Sequence, residues 1–206
     1  MNKVLNDLPI NWFDVLLLVV LLVGIQRGRK RGMSEELLAV LQWLGVVLGA
    51  AVAYEPLGVW LVSVTSLSAL VCYIGAYVIT GAFIVGVFAL LKRNFSEKLV
   101  GSDTFGGGEY YLGMPAGMLR FACVLIALLS LLNARYYRSE EIKAMEKFQM
   151  DNYGSQFFPT LQSIQSSVFE KSLTGPPIKK YLSFLLIKPT PPEITQQVKR
   201  KEFSLP

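Results

Sequence analysis

Four long apolar runs, at 10–26, 37–54, 67–91 and 112–132, fill most of the first two thirds of the chain and constrain its fold more than any other feature. Each approaches or exceeds the ~17–25 residues a helix needs to cross a bilayer at about 1.5 Å per residue. The first, INWFDVLLLVVLLVGIQ, is short but dense in Leu and Val, and the fourth carries Arg120 inside it. A soluble bundle would have to cover all four runs with polar surface. With only 17% charged residues the chain has too little, since soluble domains average about 25%. The expected fold is an all-α membrane protein: four transmembrane helices in residues 1–132, then an amphipathic helical tail over 133–206. Lys3 is the only basic residue before the first run, and no small-residue cleavage site follows it, so this run is expected to stay as a span rather than be removed.

Between the first two runs lies RGRKRGMSEELL, with Arg27, Arg29, Lys30 and Arg31 packed together. A nucleic-acid surface needs basic residues spread over a face that a duplex can reach. A knot in a short loop between spans is a topology signal instead, because Lys and Arg hold short loops in the cytoplasm. The loop after the third run, with Lys92, Arg93 and Lys98, belongs on the same side, while 55–66 has no Lys or Arg. Both chain ends are thus expected outside the cytoplasm. Arg135, Arg138, Lys143 and Lys147 count against this orientation, with Glu140, Glu141 and Glu146 interspersed among them.

Three ionisable residues fall in or at the spans: Asp14, Glu36 and Arg120. Charge at bilayer depth is costly and is usually paired, or faces a wet path. Depths counted along the helices permit an Asp14–Arg120 contact if the first and fourth spans touch; otherwise each side chain snorkels to its nearer headgroups. Glu36 reads as part of a helix start, with Ser34 as N-cap and Glu35 and Glu36 in the first turn, where negative charge meets the helix dipole; Arg27 or Arg31 is a further partner in reach. Small residues spaced by four mark faces where helices can approach closely: Gly45 and Gly49, Ala82 and Gly86, and Gly113 and Gly117, with Pro115 between the last two favouring a kink or a half-helix. Cys72 and Cys123 read as small apolar packing groups. With no histidine and no clustered ligands or nucleophile motif, no metal, cofactor or catalytic site is expected.

In the tail, Ile142, Met145 and Phe148 fall on one helical stripe, and Leu161, Ile164, Val168 and Leu173 on another. The stretch 178–187, IKKYLSFLLI, is too short to span. These pieces are expected on the outer membrane surface or folded under the bundle. KPTPPE at 188–193 breaks structure, and KRK at 199–201 reads as a loose basic end.

Asp14, the Arg31-Gly32 pair that ends the knot, Glu36, and EYYLGMPAGMLR at 109–120 form an ordered series. It resembles the colicin V production protein (CvpA) family of bacterial integral membrane proteins. The family pattern maps onto Asp14, Arg31, Gly32, Glu36, an acidic residue at Glu109, then Leu112, Gly113, Gly117 and Arg120. The series departs from the pattern in places. The acidic position is usually Asp followed by Arg, whereas here Tyr110 follows Glu109 and Asp103 is a rival counterpart. Phe121 replaces a usual glycine, and Arg27-Gly28 doubles the Arg-Gly pair. The resemblance covers 10–132 well and the tail poorly. It implies a bacterial inner-membrane protein linked to toxin production or export and to envelope maintenance, with no established reaction. In some relatives a similar module is joined to a protease domain outside the cytoplasm, and nothing here resembles that domain.

Two roles follow as expectations. One is an assembly or accessory protein that works through glycine-lined helix contacts with the lipid bilayer, a second copy or other membrane and envelope proteins, with no nucleic acid. The other is a small channel or transporter with Asp14 and Arg120 on a polar path. An enzyme is not expected.

Overall fold

The computed structural model describes residues 10–100, 106–154 and 159–191. Asp103 and the basic end at 199–201 lie outside the described residues. Among the described residues, three helices are long and apolar enough to cross a membrane: α1 (Trp12–Val64), α2 (Ala69–Val100) and α3 (Glu109–Asn133). The shorter helices α4 (Ser139–Tyr153), α5 (Leu161–Phe169) and α6 (Gly175–Tyr181) follow, and a 3-10 turn at Ser183–Leu185 closes the order.

α1 contains two expected spans, because it doubles back at Gly32. That residue has φ +77° and ψ 171°, a backbone conformation open to glycine and strained for any residue with a Cβ. Packing along α3 shows the reversal. In the amino arm (12–31), Phe13 packs near Leu129, Gly24 meets Gly117 and Gly28 meets Gly113, so this arm runs antiparallel to α3. In the carboxyl arm (33–64), Glu36 reaches Arg120, Val47 packs on Cys123 and Tyr54 joins Ala134, so this arm runs parallel to it. The amino arm is about 30 Å long at 1.5 Å per residue, which matches a bilayer core.

The expected loop between the first two spans is therefore absent. The basic knot is helical as far as Arg31, and one glycine makes the turn. Nor does Ser34 cap the second arm: its Oγ is buried and has no hydrogen-bond partner among the described residues. The expected break at 55–66 also shrinks, since helix continues through Pro56 to Val64 and Thr65 caps it. α3 begins at Glu109 and runs through Pro115 as one helix, without the expected half-helix.

α3 is the centre of the bundle, with one arm of α1 on each side. α2 packs on the carboxyl arm, through Ala76 and Tyr77 against Ala50 and Tyr54. Little of its apolar span is covered by the rest of the chain: Val71, Val78, Ile79, Phe83 and Leu90 are exposed. In lipid such a surface carries no penalty, since acyl chains are as apolar as the side chains.

The tail is folded under the bundle and partly into it. Val168 and Phe169 of α5 are buried with Phe13, Leu129 and Leu186. Leu185 reaches Val47 and Cys123, well inside the ends of the spans. Backbone without helix at such depth needs protein partners for its polar groups, and side chains of the bundle supply three of them. The Ile187 N–H donates to Ser130 Oγ at 3.0 Å, and Asn133 Nδ2 donates to the Ile187 carbonyl at 2.9 Å. The Lys188 N–H donates to Tyr54 Oη at 3.3 Å. The stretch too short to span is thus a wedge seated beside α3. Lys188 Nζ also lies 2.9 Å from Glu55, but the two side chains are 73% and 54% exposed, and an ion pair so wet contributes little. α4 differs from α5. Its Met145 and Phe148 are exposed, which suits a helix lying against headgroups.

Asp14 ties the tail to the amino arm. Its carboxylate accepts from the Asn11 N–H at 2.9 Å, closing a capping box with the Asn11 side chain. It also accepts from the N–H groups of Leu173 and Thr174, both at 3.0 Å, and from Thr174 Oγ1 at 2.6 Å. Asp14→Asn turns one acceptor oxygen into a donor facing these donors, and each lost charge-assisted bond is worth about 1.5–3 kcal/mol. Amide exchange at Leu173, Thr174 and Ile187 is expected to rise sharply in this variant, with exchange along α3 near Arg120 unchanged. Equal protection of the tail in both proteins would show that Asp14 does not hold it.

Candidate functional site: a buried ion pair at a glycine crossing

Where the arms of α1 diverge, α3 passes between them, and glycine sets the separation. Gly24 and Gly28 of the amino arm and Gly32 at the hinge face Gly113 and Gly117 of α3. A Cβ on Gly28 would run into the Gly113 carbonyl, and one on Gly117 into the Gly24 carbonyl, with Gly28 Cα only 2.7 Å away. The backbones touch over two helical turns, a crossing that only hydrogen side chains permit. The spacing of four that runs from Gly24 through Gly28 to Gly32 is the signal for it. The sequence masks Gly24 and Gly28, one at the end of a Leu/Val run and the other inside the basic knot.

Beside this crossing lies Glu36, fully buried. One guanidinium nitrogen of Arg120 donates to both carboxylate oxygens, at 2.8 and 2.6 Å. The Arg120 side chain is only 12% exposed. Arg31 Nη1 lies 3.6 Å from Glu36 Oε1, with its side chain 39% exposed; this adds charge at longer range but no hydrogen bond. Arg120 also sits 5.0 Å from the Phe121 ring centroid, so the aromatic at the position where the resemblance leads one to expect glycine gives the cation a π face. Glu109 lies over the hinge: a Cβ on Gly32 would stand 2.9 Å from Glu109 Oε1.

Arg31, Gly32, Glu36, Glu109, Gly113, Gly117 and Arg120 thus meet in one place. Asp14 does not belong with them. The Asp14–Arg120 contact is replaced by Glu36–Arg120, because Asp14 lies beside the far end of α3. Phe13 packs on Leu129, nine residues past Arg120, or about 13 Å along the helix. Glu36 is more than a helix start: it is the counter-ion of the arginine in α3.

The other small-residue pairs behave differently. Gly45 and Gly49 face side chains, with Ile84 Cγ2 3.4 Å from a Cβ on Gly45 and Ile84 Cδ1 2.6 Å from one on Gly49. These are the ends of flexible groups and can give way. Ala82 and Gly86 are exposed, and nothing lies within 4 Å of a Cβ on Gly86.

Chemically the arrangement is a clamp. Two charges that are costly to bury singly neutralise each other. They hold the carboxyl arm to α3 while glycines hold the amino arm to its other side. Comparison with protein families matches residues 13–172 to the model described as colicin V production protein. Neither the curated proteins nor the solved structures give a match.

Proposed function

The chain belongs to the colicin V production protein family, and from that premise we propose that it is a non-enzymatic accessory protein of a bacterial inner membrane, with both termini outside the cytoplasm. It serves colicin V-type toxin production or export and envelope homeostasis. It acts by helix–helix assembly, offering a rigid apolar surface to a second copy or to other envelope proteins. The observation that carries this reading is the use made of the motif residues: Glu36 and Arg120 satisfy each other, and Gly28, Gly113 and Gly117 close the bundle. Groups occupied in holding helices together suit a scaffold.

A conduit would place Asp14 and Arg120 on one polar path, and their partners lie at different ends of α3. The test is a deletion strain complemented with variants, scored for toxin release and envelope stress, beside flux measurements on the same proteins in liposomes. Asp14→Asn is expected to keep most of the complementing activity and Gly113→Leu to abolish it, with no ion or solute flux from the wild type. Flux that disappears in Asp14→Asn would overturn the scaffold reading.

A further inference from the structure

A groove of ≈ 550 Å³ opens beside the hinge, lined by Gln26, Arg29, Lys30, Tyr110, Tyr111 and Met114. We propose that it is a binding site for one anionic phospholipid, with the headgroup phosphate held by Arg29 and Lys30.

The lining has the chemistry of a lipid site at the membrane surface. Arg29 and Lys30 occupy the last helical turn of the amino arm, where the apolar run ends. Neither forms an ion pair with a described residue, whereas Arg31 and Arg120 are both committed to Glu36. Two cations unpaired among the described residues face one cavity and leave a positive charge that a phosphate complements. Tyr110 and Tyr111, 60% and 71% exposed, stand in the first turn of α3, at the level where amphipathic rings sit among headgroups. Gln26 adds a neutral hydrogen-bonding group.

The surface below the groove separates a lipid from free phosphate. One turn deeper on the amino arm, under Gln26, come Leu22 and Val23; one turn deeper on α3, under Met114, comes Met118. All three are exposed, at 49%, 43% and 42%. An apolar track therefore leads from the cationic mouth toward the bilayer centre, where an acyl chain would lie. A free anion gains nothing from that track. The glycine crossing fixes the site, since it sets how far the amino arm stands from α3.

The experiment is native mass spectrometry of the full-length protein in detergent, with added phosphatidylglycerol, phosphatidylcholine or inorganic phosphate. One phosphatidylglycerol is expected to be retained per chain, phosphatidylcholine is not, and inorganic phosphate does not displace the lipid. Arg29→Gln/Lys30→Gln is expected to weaken retention about thirtyfold, at about fivefold per basic residue. Arg29→Lys/Lys30→Arg, which keeps the charge, retains the lipid. Arg27→Gln/Arg93→Gln removes as much charge from exposed positions outside the groove, and is expected to change retention less than about twofold. Equal retention of the two lipids, displacement by inorganic phosphate, or an equal loss in the Arg27/Arg93 variant would each overturn the proposal, the last by reducing it to general charge attraction.

Discussion

Glu36→Met alone is expected to destabilise the bundle by about 3–5 kcal/mol, because it leaves the Arg120 guanidinium buried with no carboxylate beside it. Arg120→Met strands Glu36 in the same way, and Glu36 is the more deeply buried of the two. Arg31 softens this second loss, since it already lies 3.6 Å from Glu36 and its exposed side chain can move closer. The arginine change should therefore cost less than the glutamate change. Thermal unfolding in detergent, followed by helical circular dichroism, measures the order. Two single variants as stable as the wild type would mean that the pair contributes nothing to holding the carboxyl arm on α3.

Removing both charges together should behave differently. A buried ion pair replaced by apolar groups of similar shape is often neutral or better, since the desolvation cost disappears with the charges. Glu36→Met/Arg120→Met is thus expected within about 1 kcal/mol of the wild type. The departure from additivity, about 2–4 kcal/mol on the same reasoning, is the coupling between the two positions.

The second large effect is expected at the glycine crossing. Gly28→Leu or Gly113→Leu drives a side chain into backbone. For Gly28 the obstacles are the Gly113 carbonyl group and Gly117 Cα, the latter 2.9 Å from the new Cβ. Backbone cannot swing aside as a side-chain tip can. The loss should exceed the about 1–3 kcal/mol usual for overpacking, and folded protein should vanish from membrane fractions. Gly45→Ala is the graded control: its nearest neighbour, Ile84 Cγ2, stands at 3.4 Å, and the change should cost little. Gly86→Leu should cost nothing within the chain. Accumulation of Gly28→Leu at wild-type level would show that the arms can separate without loss, contrary to the packing described.

The spans were legible in the sequence because lipid imposes a length and a polarity that composition alone reveals. Which face of each span meets which neighbour was not. Asp14 and Arg120 could be matched in depth, but depth along a helix says nothing about rotation, and Glu36 lies on the face of the carboxyl arm that meets Arg120. The local signal at Glu36, a carboxylate in a first helical turn behind Ser34, concealed its tertiary partner. The resemblance placed Arg31, Gly32, Glu36, Glu109, Gly113, Gly117 and Arg120 in order without saying that they meet. They meet because Gly32 reverses the chain on one residue, a positive-φ event that the Arg-Gly pair permits and does not announce. The helical stripes of the tail leave it either on the membrane surface or folded under the bundle, and do not show how deep it goes. Its wedge depends on single hydrogen bonds, two accepted by Ser130 and Tyr54 and one donated by Asn133, which no periodicity encodes.

The central claim is that the motif residues act by holding helices together rather than by carrying charge along a path. Complementation by Glu36→Met/Arg120→Met tests it most directly. Each single variant should fail to complement the deletion strain, and the double variant should accumulate and restore toxin release and envelope integrity. A double variant that folds as stably as the wild type yet leaves the strain uncomplemented would contradict the account, because the charges themselves would then be what the function requires.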